Sequence, residues 1–388
     1  MADLHAHRQQ FPALAHKNYF NYGGQGPLPQ ASLNAILDSY QQGEMQGPFS
    51  LAMGQWENEV IRDLRQAIAA ELNAQPENIV LTENVTAGCN IALWGIDWQA
   101  GDEILLGDCE HPGIVGIVQE IAARFAVKVR ICPLLDTLNA GDPVEAIAQQ
   151  LTPQTRLLVI SHLFWNTGQV LPLKEICARC HQGNVQVLVD AAQSFGVLPL
   201  DLPDLGVDFY AFTGHKWWCG PAGVGGLYIS PGAIAEHRPT FIGWRGVTQW
   251  PSTTEVTLTP DGRRYEVATS AYPLYVGLTA SMGFHQQWGT TAERYQQICE
   301  ISAYAWEKLN AIAQVQCLKT APPASGLVSF RVDAPQGHAE IVKQLEGQGF
   351  CLRTIRFPDC IRACTHYFTT SAEIDQLAIA LKTCLETA

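Results

Sequence analysis

Between about residues 30 and 230, short apolar runs alternate with stretches of helical periodicity. Ile79–Thr82, Glu103–Leu106, Val127–Ile131, Leu157–Ser161 and Val185–Asp190 predict strands. Several are continuously apolar, as strands covered on both faces should be. Gly225–Ile229 predicts one more. Over residues 57–72, Val60, Ile61, Leu64 and Ile68 recur at helical spacing. Such alternation predicts an α/β fold with a mostly parallel sheet. Residues 240–270 carry Gly243, Gly246, Pro251 and Pro260 and predict a loop-rich transition. Beyond it, 271–313 predict two long helices, 326–332 a strand and 339–345 a helix. Strands follow near 350–355 and 362–368. The last helix opens on the capping-box pattern Thr370-Ser-Ala-Glu373, with Ile374, Leu377, Ala378, Leu381 and Leu385 on one face. The expected organisation is a large domain over 16–255 and a smaller C-terminal α+β domain over 256–388, with segment 1–15 packed on the latter.

Composition narrows the class of protein. A chain of 388 residues, 47% apolar and 16% charged, can bury a large core. The net charge of −13 argues against nucleic acid or a membrane surface as partner. The N-terminus shows no secretory h-region, and no apolar run approaches the length of a membrane span. Twelve scattered cysteines suit reduced thiols in a cytoplasm rather than a disulfide framework. Cys177-Ala-Arg-Cys180-His181 spells a haem-attachment motif, but it falls in a helical stretch of a chain with no export signal. It also lacks a second zinc half-site, so no metal centre is expected. Gly220–Gly226 is not followed by the Gly-Lys-Ser/Thr of a P-loop.

The chemistry-bearing residues cluster where predicted strands end. Thr213-Gly-His215-Lys216 precedes a glycine-rich stretch, and Asp190 closes an apolar strand. A lysine that can form a Schiff base, a hydroxyl and imidazole that can hold phosphate, and an acid that can pair with a pyridinium nitrogen are the needs of pyridoxal phosphate. Lys216 and Asp190 are therefore the leading catalytic candidates. Thr86 and Ala87 open a predicted helix after the strand 79–82, where N–H groups can face phosphate; a plain helix cap is the alternative. His111 follows the strand 103–106 and can stack on a flat cofactor; a solvated loop histidine is the alternative. Asn166 could donate to the cofactor's phenolic oxygen or to a substrate carboxylate, or simply form a turn before Gly168. Gln193 could reach the phenolic oxygen from the loop after Asp190.

Together these stretches resemble the class V aminotransferase (cysteine desulfurase-like) family of fold-type I pyridoxal phosphate enzymes. Asp190-Ala-Ala-Gln193-Ser, Thr213-Gly-His215-Lys216 and Gly220-Pro-Ala-Gly223-Val-Gly225 carry the resemblance most specifically. Asn84-Val-Thr86-Ala87, Glu110-His111-Pro112, Asn166-Thr-Gly168, Arg264-Tyr-Glu266-Val-Ala-Thr269 and the tail from Ile361-Arg362 match in order. The resemblance implies a large domain with a mostly parallel, seven-stranded-type sheet and a homodimer. It implies Lys216 as the Schiff-base lysine, Asp190 as the pyridine partner, His111 as the stacking residue and Gln193 as the partner of the phenolic oxygen. Thr86, Thr213 and His215 would hold phosphate, joined by Thr269 from a second subunit. Arg362 would bind the substrate α-carboxylate, and Trp244 would form an aromatic wall across the dimer.

One stretch departs from the desulfurase pattern. Only eight residues separate Arg353 from Arg362, and the loop that carries a nucleophilic cysteine in desulfurases is missing. Cys360 remains, two residues before Arg362, where packing is its expected role and sulfur acceptance the alternative. Without an enzyme thiolate, β-elimination from a disulfide substrate is the expected route, because a persulfide leaves more readily than a thiolate. Cystine carries a second carboxylate, and Arg353 or Arg356 could bind it. The short stretch is thus closest to the cystine/cysteine C–S lyase branch, which implies pyruvate, ammonia and a persulfide as products. By analogy, the persulfide would pass to an acceptor protein of iron–sulfur assembly. A desulfurase using Cys360, an aminotransferase or an epimerase are the rival activities.

Overall fold

Seven strands form the central sheet of the computed structural model, which describes residues 3–248 and 255–386. Across the sheet they run Ile79–Thr82, Gly225–Ile229, Phe209–Thr213, Gln186–Asp190, Thr155–Ser161, Glu103–Gly107 and Lys128–Cys132. All neighbours are parallel except Gly225–Ile229, which is antiparallel to both of its partners. The continuous apolar runs have the expected cause. Leu105, Leu158, Val187 and Phe212 pack into a cluster on one face with the helix Leu51–Glu71, while Ile104, Val159, Leu188 and Ala211 pack on the other with Val85–Trp94 and Pro112–Phe125. Helix Tyr272–Trp288 contributes Tyr275, Leu278 and Met282 to the first of these clusters.

A second sheet of four strands has the order Arg353–Arg356, Asp359–Cys364, Leu327–Val332, Val315–Cys317. It packs with Thr291–Asn310, Gly337–Gly347 and Ser371–Glu386 around Phe330, Ile341, Ile361, Ile374 and Leu381. The capping box forms: Thr370 N–H donates to Glu373 at 2.9 Å, and Glu373 N–H donates to the Thr370 hydroxyl at 3.3 Å.

Three local expectations change. Phe209–Thr213 is a central strand that the apolar pattern alone did not single out. The run near 350–355 divides: Phe350–Cys351 pairs in parallel with Asn18–Tyr19, and Arg353–Arg356 joins the four-stranded sheet. The strand expected at 362–368 instead spans Asp359–Cys364, because Arg356 pairs with Asp359 across a tight turn at Phe357-Pro358. Residues 365–368 leave the sheet for an aromatic cluster with Tyr22, Trp217 and Trp288.

That cluster contains a chain of neutral hydrogen bonds. His285 Nε2–H donates to the Trp218 carbonyl at 3.1 Å, so its Nδ1 accepts the Tyr367 hydroxyl at 2.7 Å. The Tyr367 oxygen then accepts from His7 Nε2 at 2.7 Å. His366 Nε2–H donates to the Trp217 carbonyl at 2.8 Å. Arg8 adds an ion pair with Glu373, and together these contacts fasten the helix Leu4–Arg8 beneath the segment that follows Lys216. The motif at Cys177 and Cys180 turns out to be packing: both thiols are buried on the core face of Leu173–His181. Among the described residues, no group of three His, Cys, Asp or Glu side chains is placed for a metal, and no helix is long and apolar enough to cross a membrane.

The histidine chain predicts acid lability. Burial holds His7 at about 4 and His366 at about 3, and His285 well below its ordinary value of 6.5. Below pH ~6.5 the unfolded chain therefore binds protons that the folded chain refuses, and stability falls as pH drops. The urea midpoint should decline steadily from pH 7 to 4, with a shallower slope in His7→Gln. A midpoint flat across that range would contradict the buried neutral histidines.

Candidate active site

Ligands of open parallel sheets bind beyond the carboxyl ends of the strands. Here that edge holds a cleft of about 340 Å³. Thr86, His111, Asp190, Gln193, His215, Lys216 and Arg353 all line it, from four separate strand-to-helix or strand-to-loop connections and the small sheet. Lys216 emerges after Phe209–Thr213 because the glycine-flanked turn at 214–220 lets the chain double back: Gly220 N–H donates to the Gly214 carbonyl at 2.9 Å. Gly26 seats this turn from below, since a Cβ there would lie 2.2 Å from the Lys216 carbonyl oxygen.

Two opposed charges dominate the electrostatics. Burial lowers Lys216 to about 8, against the pull of Asp190, which favours the ammonium form. Burial raises Asp190, offset by Lys216 and by the N–H of Ala192, which donates to Asp190 Oδ1 at 2.9 Å. Asp190 forms no ion pair among the described residues, so a buried cation is the missing partner for this carboxylate. His111 caps its own helix: Nδ1 accepts the Gly113 N–H at 3.2 Å, which puts the proton on Nε2. Burial and then Lys216 lower its pKa, keeping the ring neutral. The Trp165 ring meets it edge to face at 5.4 Å.

At the other end of the cleft, Asn84, Val85 and Thr86 begin the helix Val85–Trp94. Ala87, expected beside them, does not line the cleft: it lines a separate cavity, and its N–H donates to the Asn84 side chain at 2.9 Å. His215 faces the cleft while Thr213, fully buried behind it, holds His215 Nδ1 at 2.6 Å. Gln193 Nε2 donates to the Gly23 carbonyl and its Oε1 accepts from Trp217, each at 2.9 Å, which leaves one amide hydrogen.

Arg353 and Arg362 face each other directly across adjacent antiparallel strands. Like charges in that register are destabilising. Neither arginine forms an ion pair among the described residues; Arg362, fully buried, donates to the Trp165 carbonyl at 2.7 Å and the Asn21 side chain at 3.2 Å, and its Nε has no partner. The pair is thus built for anionic groups that the protein itself does not supply. Arg356, at the other end of its strand, is exposed.

Some expected residues lie elsewhere. Asn166 does not line the cleft; its amide donates to the Phe357 carbonyl at 3.0 Å, tying the hairpin turn to the large domain's loop. Thr269 lines a separate cavity of about 860 Å³, and Trp244 a third of about 720 Å³. Cys360 is buried, with its thiol pushed up to about 12 by burial, and no cysteine lines the cleft. Sequence reasoning missed Gly24, Ser161 and Trp165 in the cleft wall. The cluster Gly23-Gly-Gln-Gly26 was a usable signal for a close backbone approach; nothing local distinguished Ser161 or Trp165.

The Lys216–Asp190 coupling is directly testable on the protein without cofactor. Modification of Lys216 by an amine reagent, followed by mass spectrometry, should become half-maximal near pH 8. Asp190→Asn removes the anion that favours the ammonium, so the midpoint should move lower. A midpoint near the ordinary lysine value in both proteins would show that Lys216 is solvated instead.

Residues 18–377 match the aminotransferase class-V family. Solved structures of C-DES are similar over nearly the whole chain. A lysine-to-alanine mutant of C-DES, with glycine covalently linked to its pyridoxal phosphate cofactor, is 54% identical, with a TM-score of 0.95 over 97% of this chain and 98% of that one. A complex of the cystine C–S lyase C-DES with its reaction product cysteine persulfide is 55% identical, with a TM-score of 0.94 over 96% of this chain and 99% of that one. Among curated relatives, isopenicillin N epimerase of Streptomyces clavuligerus is 29% identical, covering 93% of each chain. A probable cysteine desulfurase of Xylella fastidiosa is 27% identical over 87% of this chain and 80% of its own. With the family match spanning both sheets and every cleft-lining connection, the chain belongs to the aminotransferase class-V family.

Proposed function

We propose that the protein is a pyridoxal phosphate-dependent lyase that cleaves the Cβ–S bond of cystine. The donor set of the cleft fits the cofactor: a buried amine, a buried acid without a protein cation, a neutral imidazole, and a hydroxyl and N–H groups at a helix N-terminus. When bound, the cofactor supplies an electron sink for the pair left on Cα when its proton departs. Asp190 would hold the pyridine nitrogen of the cofactor in its protonated form, as a buried acid without a protein ion pair. Lys216, near neutrality because of its burial, can take the Cα proton as a free amine. His111 would stack on the cofactor ring, and Thr86 and His215 would hold its phosphate. Cystine and water give pyruvate, ammonia and cysteine persulfide, and this balance needs no oxidant or reductant.

The observation that carries this reading is the facing pair of Arg353, which lines the cleft, and Arg362, fully buried directly opposite it in the register, with no cysteine in the cleft wall. Two unpaired guanidinium groups suit a substrate with two carboxylates, Arg362 taking the α-carboxylate of the reacting half and Arg353 that of the leaving half. The absence of a lining cysteine disfavours sulfur transfer to the enzyme and favours elimination. Racemisation, the reaction named for the epimerase relative, would give neither pyruvate nor persulfide.

The proposal includes a homodimer. Phe241, Ile242, Trp244 and Val267 are exposed around the cavities that hold Thr269 and Trp244. An apolar patch of this kind suits a protein interface, and a second copy would deliver these residues to its neighbour's cleft. Twelve unpaired cysteines suit a reducing cytoplasm. There the persulfide would serve an acceptor protein of iron–sulfur assembly.

Cystine should yield pyruvate and persulfide in equal amounts, with no alanine. Cys360→Ala should stay within about twofold of wild type, as a packing change outside the cleft. Arg353→Ala should raise KM for cystine roughly 10- to 100-fold, the loss of one charge-assisted contact, and affect cysteine less. Alanine as the main product, abolished by Cys360→Ala, would establish a desulfurase instead.

A further inference from the structure

Glu110 stands beside His111 and has no part in the chemistry above, yet it is a carboxyl group only 7% exposed. Its Oε1 accepts the Ser161 N–H at 2.9 Å, and its Oε2 lies 2.7 Å from the Ser161 hydroxyl. The backbone is shaped for it: a Cβ on Gly107 would meet Oε1 at 2.7 Å. No cation pairs with it among the described residues. On its own loop it is flanked by Asp108, Cys109 and His111. From the strand Gln186–Asp190 it faces Asp190, and from the helix Val85–Trp94 it faces Cys89, whose thiol is pushed up by burial and then by both acids. Ser161 lies directly opposite Asp190 in the parallel register, so the two carboxyls sit on either side of one serine at the cleft floor.

We propose that Glu110 is a positioning residue that works as a neutral carboxylic acid, locking the His111 loop to the strand end at Ser161 and leaving Asp190 the single anion of the cleft floor. Two buried carboxyls without two cations cannot both ionise cheaply, and the charge settles on the one beside the cation. Lys216, or a pyridinium, stands by Asp190; nothing cationic stands by Glu110. Burial, with Asp190 adding to it, accordingly pushes Glu110 up to about 8. In the acid form Oε2–H donates to the Ser161 oxygen while Oε1 still accepts the Ser161 N–H. The serine's own proton is then available to the cleft that it lines. Ionised, Glu110 would set a second negative charge against Asp190, and the repulsion would favour protonation of one of the two acids.

The clasp also has a mechanical consequence. Trp165 Nε1 donates to the Cys109 carbonyl at 3.1 Å, its ring meets His111, and its carbonyl accepts from Arg362. Glu110–Ser161 and Trp165–Cys109 thus pin the His111 loop at two successive residues. The consequence for Asp190 rests on the cofactor reading above; the protonation of Glu110 does not.

The test starts from the protein without cofactor. Glu110 keeps its proton to about pH 8 when folded but loses it near its ordinary value of 4.5 when unfolded. Its contribution is therefore complete below the unfolded value and lost as pH rises toward 8. The wild-type denaturation midpoint should fall relative to Glu110→Gln, a permanent neutral mimic, as pH rises from 5 to 8. In an Asp190→Asn background the same relative fall should end at lower pH and be smaller, because the folded-state shift loses the push of Asp190. A constant gap between wild type and Glu110→Gln over that range would overturn the proposal. In the loaded enzyme, Glu110→Gln should retain kcat within about threefold, while Glu110→Ala and Glu110→Asp should lose about tenfold or more through displacement of His111. Equal loss in Glu110→Gln and Glu110→Ala would also overturn it. Failure to make pyruvate from cystine would count against the proposed activity while leaving the denaturation result in force.

Discussion

The burial of Lys216 opposite Asp190 is the constraint on which the site depends. An amine and a carboxylate taken out of water each cost several kcal/mol unless their surroundings compensate. Here the compensation is partial by construction: Asp190 steadies the ammonium, Ala192 N–H steadies the carboxylate, and neither charge is fully paired. The residue of that cost appears as a lysine titrating near neutrality. A lysine in that condition can serve as nucleophile and base; a solvated one cannot.

The rest of the architecture holds those two groups in place. Apolar packing on both sheet faces fixes the strands, and so fixes where Asp190, Ser161, His111 and Lys216 emerge. The aromatic and histidine cluster supports Trp217 and Trp218 from beneath, with the N-terminal helix and the stretch after Cys364 closing it. The four-stranded sheet contributes a pair of arginines held in a register that their mutual repulsion disfavours. The central sheet and the small sheet therefore each meet the cleft with a charged group, Asp190 and Lys216 from the first and Arg353 from the second.

Glu110 extends the same logic. A cleft that must bind a cationic ring nitrogen needs one anion, and a second acid nearby is tolerable only as a neutral hydrogen-bonding group. Its proton, its serine and the glycine that makes room for it come from two neighbouring strand ends.

The sequence by itself determined the α/β class, six of the seven central strands, the final capped helix, and the residues that emerge at strand ends: Lys216, Asp190, His111 and Thr86. These were legible because apolar runs report burial locally, and because a polar group directly after such a run must face a ligand or solvent. The shortened stretch from Arg353 to Arg362 was legible as a count of residues. Only the tertiary structure decided that those two arginines face each other, since a tight turn moved the second strand three residues earlier than its apolar pattern suggested. Only it took Asn166 out of the cleft, placed Thr269 and Trp244 in other cavities, and joined Glu110 to a serine fifty-one positions along the chain. The reason is physical: burial is written in the periodicity of each segment, whereas contact between segments depends on register and crossover, which no single segment contains.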